Sequence, residues 1–200
     1  MTLVLASASP RRHEILTEAG ILHEVVVSEV DESPYYSADP AETVKNLALA
    51  KAGAVAQLAG MEERYVLGAD TVVYANGEIL GKPRDKEDAY RMLRMLSGST
   101  HEVLTGIAVL HGTEKKTRVV RTNVTFRTLS EDVIRDYAES GEPMGKAGAY
   151  AIQGKAGLFV KATDGDYKNV IGLPLYALLD LLLDEYRVPA RSLYTQERNG

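Results

Sequence analysis

The chain has no cysteine, no tryptophan and only two phenylalanines among its 200 residues. Without cysteine it cannot form disulfides, use a thiolate nucleophile, or build a cysteine-based zinc or iron–sulfur site. The same absence fits a reducing cytosol. The aromatic side chains are mostly tyrosine, of which there are eleven.

The sequence also has no excess of positive charge and no long apolar run. Its formal net charge is -5, which argues against general binding to nucleic-acid polymers, because that binding depends on Lys and Arg neutralising phosphates. The longest apolar stretch, LPLYALLDLLL, is interrupted by Asp180 and is too short to span a bilayer. The N-terminus, MTLVLASASPRR, has the wrong order of charge and apolar residues for a secretory signal. We therefore expect a cytoplasmic protein without membrane association.

Hydrophobic periodicity and turn residues predict alternating strands and helices. Strands are expected at 2–6, 23–30, 101–111 and 116–129, with a hairpin over 65–80 that turns at 75–77. Helices are expected from Ser9 to Gly20, over 41–59 and 85–98, from Ser130 to about Glu139, and over 173–186. Residues 148–166 combine strand patterns with glycine turns, and the last dozen residues read as a loose tail. The order predicts an α/β fold with a mixed central sheet flanked by helices.

The first strand leads through a small polar loop into a helix start. Ser9 suits the N-cap and Pro10 the first helical position. A helix N-terminus binds anions through its free N–H groups and dipole, and the hydroxyls of Ser7 and Ser9 add donors. Arg11 and Arg12 lie where the dipole disfavours positive charge, so they favour a bound anion. The alternative is a capped helix carrying two solvated arginines.

Acidic residues lie at the ends of two predicted strands. Asp70 follows the apolar run 66–69, where ligands often bind in α/β sheets. A carboxylate there can orient an attacking water or hold a divalent metal, or it can cap a turn. Asp31 and Glu32 follow the predicted strand 23–30, and the residues alone favour a solvated loop over a site at this position.

Three further polar side chains are candidates for a site. Lys51 is in register with the apolar face of its helix, so it either reaches the rim of the core or points into a cleft. Lys82 sits in the stiff turn Gly81-Lys82-Pro83, which is also compatible with an ordinary surface lysine. The amide of Gln153 can both donate and accept, which suits reading a base, or it is exposed at a strand end. His13 and His101 have no partner at metal-binding spacing and are expected to be structural or exposed.

Six ordered motifs resemble the Maf family of nucleotide pyrophosphatases, over residues 3 to about 186. The motifs are LASASPRRHEIL, GADTVV, GKP, LSGSTHEVLTG, KAGAYAIQG and GDYKNVIGLPL. The resemblance implies one Maf/Ham1-like domain over 1–186, with a twisted mixed sheet in two lobes around a substrate cleft, followed by a tail over 187–200. It also implies a homodimer.

The same resemblance implies hydrolysis of a nucleoside triphosphate to the monophosphate and pyrophosphate, with Mg²⁺ or Mn²⁺. Asp70 corresponds to the group that activates water, and Glu32 with Asp70 to the metal ligands. The phosphate-binding positions are Ser7, Ser9, Arg12, Lys51 and Lys82. The positions associated with substrate choice in the branch acting on dTTP and UTP are Arg11, Thr71 and Gln153. Modified pyrimidine nucleotides are further candidate substrates.

Two other functions stay open at the level of sequence. The family name is connected with septum formation, so the chain could be a nucleotide-sensing regulator of cell division. The same chemistry could also act on 7-methyl-GTP or on non-standard purine nucleotides. The branch acting on 7-methyl-GTP tends to have EG where this chain has Gln153-Gly154, and this favours the pyrimidine branch.

Overall fold

A computed structural model describes Met1 and residues 3–194. The strands are β1 (Leu3–Leu5), β2 (His23–Val25), β3 (Tyr65–Ala75), β4 (Glu78–Leu80), β5 (Thr100–His111), β6 (Glu114–Phe126) and β7 (Val160–Asp164). The helices are α1 (Pro10–Glu18), α2 (Pro40–Ala56), α3 (Lys86–Leu96), α4 (Glu131–Glu139), α5 (Tyr167–Ile171) and α6 (Leu175–Leu179). Short 3₁₀ turns occupy Ser33–Tyr35, Ala147–Ala149, Lys155–Phe159 and Ala190–Leu193.

The seven strands of the described residues form one mixed sheet. Their hydrogen-bonded order is β2-β1-β3-β5-β6-β7, and β4 pairs with β3 outside this path. β1 is parallel to both β2 and β3, whereas β3–β4 and β6–β7 are antiparallel. The predicted α/β class and mixed sheet are therefore confirmed.

Backbone contacts divide the chain into two compact units. Unit 1 comprises Met1–Asp70, Thr105–Val120 and the described residues from Gly172 on. Unit 2 comprises Thr71–Leu104 and Arg121–Ile171.

In unit 1, helix α2 packs directly on the sheet because two glycines leave room for its backbone. A Cβ at Gly68 in β3 would lie 2.1 Å from the Ala48 carbonyl oxygen, and one at Gly106 in β5 would lie 2.4 Å from the Val44 carbonyl oxygen. No side chain fits at these distances. The contact buries a core of small aliphatic residues from both layers: Val4, Ala6, Ala48, Ala52, Val55, Val66, Ala108 and Leu110.

Unit 2 is built around the β3–β4 hairpin, the packed helices α3 and α4, and an aromatic cluster. Asp85 caps α3 by accepting from the Asp88 N–H, and Ser130 caps α4 by accepting from the Val133 N–H, at the positions where the two helices were predicted to begin. The cluster contains Phe126, Tyr137, Tyr150 and Phe159, whose rings meet edge to face. Unit 2 therefore has a core of its own.

Three predicted elements differ from the structure. The strand expected over 23–30 ends at Val25, because its partner β1 ends at Leu5. Region 148–166 contains one strand, β7, preceded by two 3₁₀ turns. The helix expected over 173–186 is α-helical only over α6 and continues as a π-helix over Asp180–Glu185.

The predicted loose tail is wrong for residues 187–194. Val188 and Leu193 are buried, and the Leu22 N–H donates to the Leu193 carbonyl at 2.7 Å. Residues 195–200 of the predicted tail lie outside the described part of the chain. Within residues 3–194, no helix is both long and apolar enough for a membrane span.

Candidate functional site

The loop between β1 and α1 is organised around a buried hydroxyl. Ser7 Oγ accepts from the Ser9 N–H at 3.2 Å and from Arg12 Nη1 at 3.0 Å. Ser9 occupies the predicted N-cap position, but its hydroxyl forms no capping hydrogen bond to the described residues of α1. The helix start therefore forms as predicted, whereas the hydroxyl that orders the loop belongs to Ser7.

Arg12 is held rigidly at the start of α1. Its Nε donates to the Gly172 carbonyl at 2.8 Å, and Gly172 has a φ of 129°, a conformation that favours glycine. Burial lowers the pKa of the Arg12 guanidinium, while Asp70 and Glu32 oppose this shift and the neighbouring Arg11 adds to it. Arg12 is consequently a fixed positive charge that faces carboxylates, not a solvated arginine.

Two carboxylates converge on one ammonium group in unit 1. Lys51 Nζ lies 2.6 Å from Asp70 Oδ1 and 2.8 Å from Glu32 Oε1. The side chains of Lys51 and Asp70 are only 13% and 12% exposed, whereas that of Glu32 is 37% exposed. The structure thus brings together the three residues predicted from separate parts of the sequence, and Lys51 points inward.

The close packing of α2 explains how Lys51 reaches Asp70. Gly68 lies two residues before Asp70 in β3, and Ala48 and Ala52, which flank Lys51 on α2, are the groups that a Cβ at Gly68 would meet. A larger residue at Gly68 would push the helix away from the strand. Two small-residue contacts therefore set the distance between the ammonium and the carboxylate.

Burial raises the pKa of the Asp70 carboxyl, because a low-dielectric environment disfavours the charged form. Lys51 and Arg12 oppose the shift, and Glu32 adds to it by like-charge repulsion. A carboxyl with a raised pKa is a better proton acceptor than an ordinary surface aspartate. Asp70 has the environment expected of a general base.

Asp31, which precedes Glu32, and Tyr36 lie in different environments. Asp31 is exposed and accepts hydrogen bonds from the backbone N–H and hydroxyl of Ser33, which lowers its pKa, so it closes its own turn. The pKa of Tyr36 is raised by burial and by the charges of Glu32 and Asp70. Tyr36 therefore lies within electrostatic reach of the acidic pair. Nothing in the sequence pattern singled it out.

Three predicted site residues belong to unit 2. Thr71 follows Asp70 in β3 and is partly buried, and Lys82 and Gln153 are exposed. The segments of Lys82 and Gln153 are joined, because the Gly148 N–H donates to the Gly81 carbonyl at 3.0 Å. Gln153 stands in a turn, where the sequence predicted the end of a strand.

The histidines do not form a metal site. His101 is buried, contacts the Tyr150 hydroxyl through Nε2 at 2.9 Å, and has its pKa lowered by burial to about 4. His13 is exposed and lies 2.7 Å from His23, nitrogen to nitrogen. Among the described residues, no group of three or more His, Cys, Asp or Glu side chains is placed to ligate a metal ion.

Two relatives that align with most of this chain carry the same name. A protein of Pelotomaculum thermopropionicum named dTTP/UTP pyrophosphatase is 50% identical over 90% of this chain and 94% of its own. One of Moorella thermoacetica with the same name is 52% identical over 90% and 93%. The Ham1 protein of Staphylococcus aureus aligns with 63% of this chain and 72% of its own, at 16% identity and a TM-score of 0.41. The Maf-like protein family matches residues 2–185, and the chain belongs to that family.

Proposed function

We propose that this protein is a pyrophosphatase that hydrolyses dTTP and UTP to the nucleoside monophosphate and pyrophosphate. The observation that carries the proposal is the buried Asp70 carboxylate, held beside the cations Lys51 and Arg12 in unit 1. The names of the relatives, dTTP/UTP pyrophosphatase, support the substrate class.

Asp70 acts as the general base. Its carboxylate accepts a proton from a water molecule, and the resulting oxygen nucleophile attacks the α-phosphorus. The bond from the α-phosphorus to the bridging oxygen breaks, and pyrophosphate leaves with the bonding electron pair. Burial raises the pKa of the Asp70 carboxyl, which favours proton acceptance by this group.

We assign phosphate binding to the loop between β1 and α1 and to the basic side chains that the family resemblance implies. Arg12 is already oriented by Ser7 and Gly172, so little side-chain entropy is lost when it meets an anion. Arg11 lies in the same helical turn. Lys51, Ser9 and Lys82 complete the proposed phosphate-binding set, and the positive charges offset the negative charge that develops during phosphoryl transfer.

A divalent cation fits the donor set of the acidic pair. Asp70 and Glu32 place carboxylate oxygens within 2.6 and 2.8 Å of a single point, the Lys51 ammonium, so both can reach one cation. Mg²⁺ and Mn²⁺ prefer hard oxygen donors. They take a few of these from the protein and others from substrate phosphates. When bound, the metal would neutralise phosphate charge and polarise the scissile group. Asp70 and Glu32 are the residues that would hold it.

Choice of base is assigned to Arg11, Thr71 and Gln153, as the family resemblance implies. A hydrogen-bonding site rejects a mismatched base because polar groups are left unpaired. Replacing Gln153 with glutamate tests this assignment, and unchanged relative activity on dTTP and UTP would remove Gln153 from the set. The homodimer implied by the resemblance belongs to the same proposal and is checked by light scattering.

A substrate panel tests the proposed reaction. Each ribo- and deoxyribonucleoside triphosphate is incubated with the protein and Mg²⁺ or Mn²⁺, and the products are separated and identified. Pyrophosphate and the monophosphate should form fastest from dTTP and UTP. Release of orthophosphate, or no turnover of any triphosphate, would refute the proposal.

A further inference from the structure

Glu142, just after α4 in unit 2, joins the end of that helix to the segment at Lys155. Its Oε1 accepts from the Lys155 backbone N–H at 2.8 Å and from the Tyr137 hydroxyl at 3.1 Å. Its own carbonyl accepts from Lys146 Nζ, and its N–H donates to Ser140 Oγ. These contacts fix the Glu142 carboxylate, which in turn holds the backbone at Lys155.

Gly154 is the residue that allows this contact. A Cβ at Gly154 would lie 2.1 Å from Glu142 Oε1, and the φ of Gly154 is -96°, which other residues also adopt. A residue with a Cβ at this position would therefore have to displace the end of the Glu142 side chain. The side chain of Glu142 and the backbone at Gly154 fit each other closely.

The backbone that Glu142 holds is the turn that carries Gln153. The turn is closed by a hydrogen bond from the Gly154 N–H to the Ala151 carbonyl at 3.0 Å. Glu142 holds the next N–H along the chain, while Gln153 itself is exposed. Gln153 is therefore displayed on a turn whose position depends on a carboxylate from another element.

We propose that Glu142 is a positioning residue for base selection, which acts by fixing the turn that presents the Gln153 amide. The inference rests on the proposed function, in which Gln153 reads the base. A hydrogen-bonding group discriminates only when it is held in place, since a displacement of about 1 Å is enough to lose a productive geometry. Purines are larger than pyrimidines, so a turn that can move would accommodate both.

The test compares kcat/KM for UTP with kcat/KM for GTP in matched variants. Replacing Glu142 with alanine should lower the UTP-to-GTP ratio roughly tenfold, while kcat for UTP changes less than about threefold. Glu142→Gln keeps an acceptor oxygen and should restore most of the ratio. Glu139→Ala removes a carboxylate from the end of α4 that pairs with Lys86 instead, and it should leave the ratio unchanged.

A second measurement follows the contact itself. Amide hydrogen exchange at Lys155 should be faster in Glu142→Ala than in the wild type, and close to wild type in Glu142→Gln. Gly154→Ala approaches the same contact from the other side, and it should lower the ratio in the same way. If Glu142→Ala does not fold, Gly154→Ala decides the question.

The outcomes separate the inference from the function on which it rests. Gln153→Ala is measured in the same panel. If it changes the ratio and Glu142→Ala does not, the positioning role is refuted while base reading by Gln153 stands. An equal fall in kcat/KM for both nucleotides in Glu142→Ala would refute the positioning role in favour of general destabilisation. If Gln153→Ala leaves the ratio unchanged, base reading by Gln153 fails, and the positioning role fails with it.

Discussion

Replacing Lys51 with methionine removes the ammonium between Asp70 and Glu32 and keeps much of the apolar length of the side chain. The Asp70 side chain is only 12% exposed in the wild type, and in the variant it loses its nearest cation. The Glu32 side chain is 37% exposed, so water screens its charge and the loss of Lys51 destabilises this carboxylate less than that of Asp70. The cost of the substitution therefore falls mainly on Asp70.

Removing one partner of a buried ion pair costs about 3–5 kcal/mol. We expect a loss in the free energy of unfolding of about 3 kcal/mol at neutral pH, the low end of this range, because Arg12 still faces the carboxylate and Glu32 is screened. For a chain of this size, that corresponds to a fall in Tm of about 6–12 °C. Urea unfolding and calorimetry, both with a chelator present, measure the two quantities.

The loss should depend on pH in a defined direction. Lys51 opposes the rise in the pKa of Asp70, so its removal raises that pKa further. The folded state then binds a proton more tightly than the unfolded state, in which the value is near 3.8. The destabilisation is complete above the folded pKa and shrinks as the pH falls through it. The difference in unfolding free energy between variant and wild type should therefore narrow as the pH falls through the raised folded-state pKa of Asp70.

Lys45 on the same helix provides the control. It forms an ion pair with Glu42 at 2.6 Å, but both side chains are well exposed. Lys45→Met should cost only about 0–1 kcal/mol, as exposed pairs do. If Lys51→Met costs no more than Lys45→Met, or if its cost does not change with pH, the ammonium does not compensate a buried charge and the reasoning fails.

Three further outcomes are expected. Gly68→Ala drives a Cβ against the Ala48 carbonyl and should lower the free energy of unfolding in urea by about 1–3 kcal/mol or more. Gly53→Ala, in the open part of α2, should be neutral or stabilising by up to about 1 kcal/mol. Equal effects of the two substitutions would contradict close packing of α2 on Gly68. Asp70→Asn should lower kcat by about 10²–10⁴-fold in a pyrophosphate-release assay. The wild-type rate should fall on acidification as Asp70 becomes protonated. A rate that does not fall at acidic pH would refute the role of Asp70 as base. Arg12→Lys loses two directed hydrogen bonds and should lower kcat/KM for UTP roughly 10–100-fold. Wild-type kinetics in this variant would contradict the role of Arg12 in phosphate binding.

The sequence alone determined the class of fold and most of the elements, and its motifs supplied the candidate site residues. Caps at Asp85 and Ser130 and the turn at 75–77 are local signals, so they could be read without a partner segment. The strand expected over 23–30 was too long, because a strand ends where its neighbour ends, and β1 is only three residues long. The packing of 187–194 was missed for the same reason, since burial of Leu193 depends on residues far away in the chain.

For Lys51, the sequence left two orientations open, and only the tertiary structure decided between them. The inward position follows from the close approach of α2 to β3 at Gly68, which places an ammonium, a buried carboxylate and Glu32 within hydrogen-bonding distance. The hydrogen bonds of Glu142 with Lys155 and Tyr137 were likewise invisible, because a lone glutamate after a helix carries no pattern of its own. Sequence motifs record which groups are present. Their charge states and reach depend on burial and on distances between segments remote in the chain, which only packing sets.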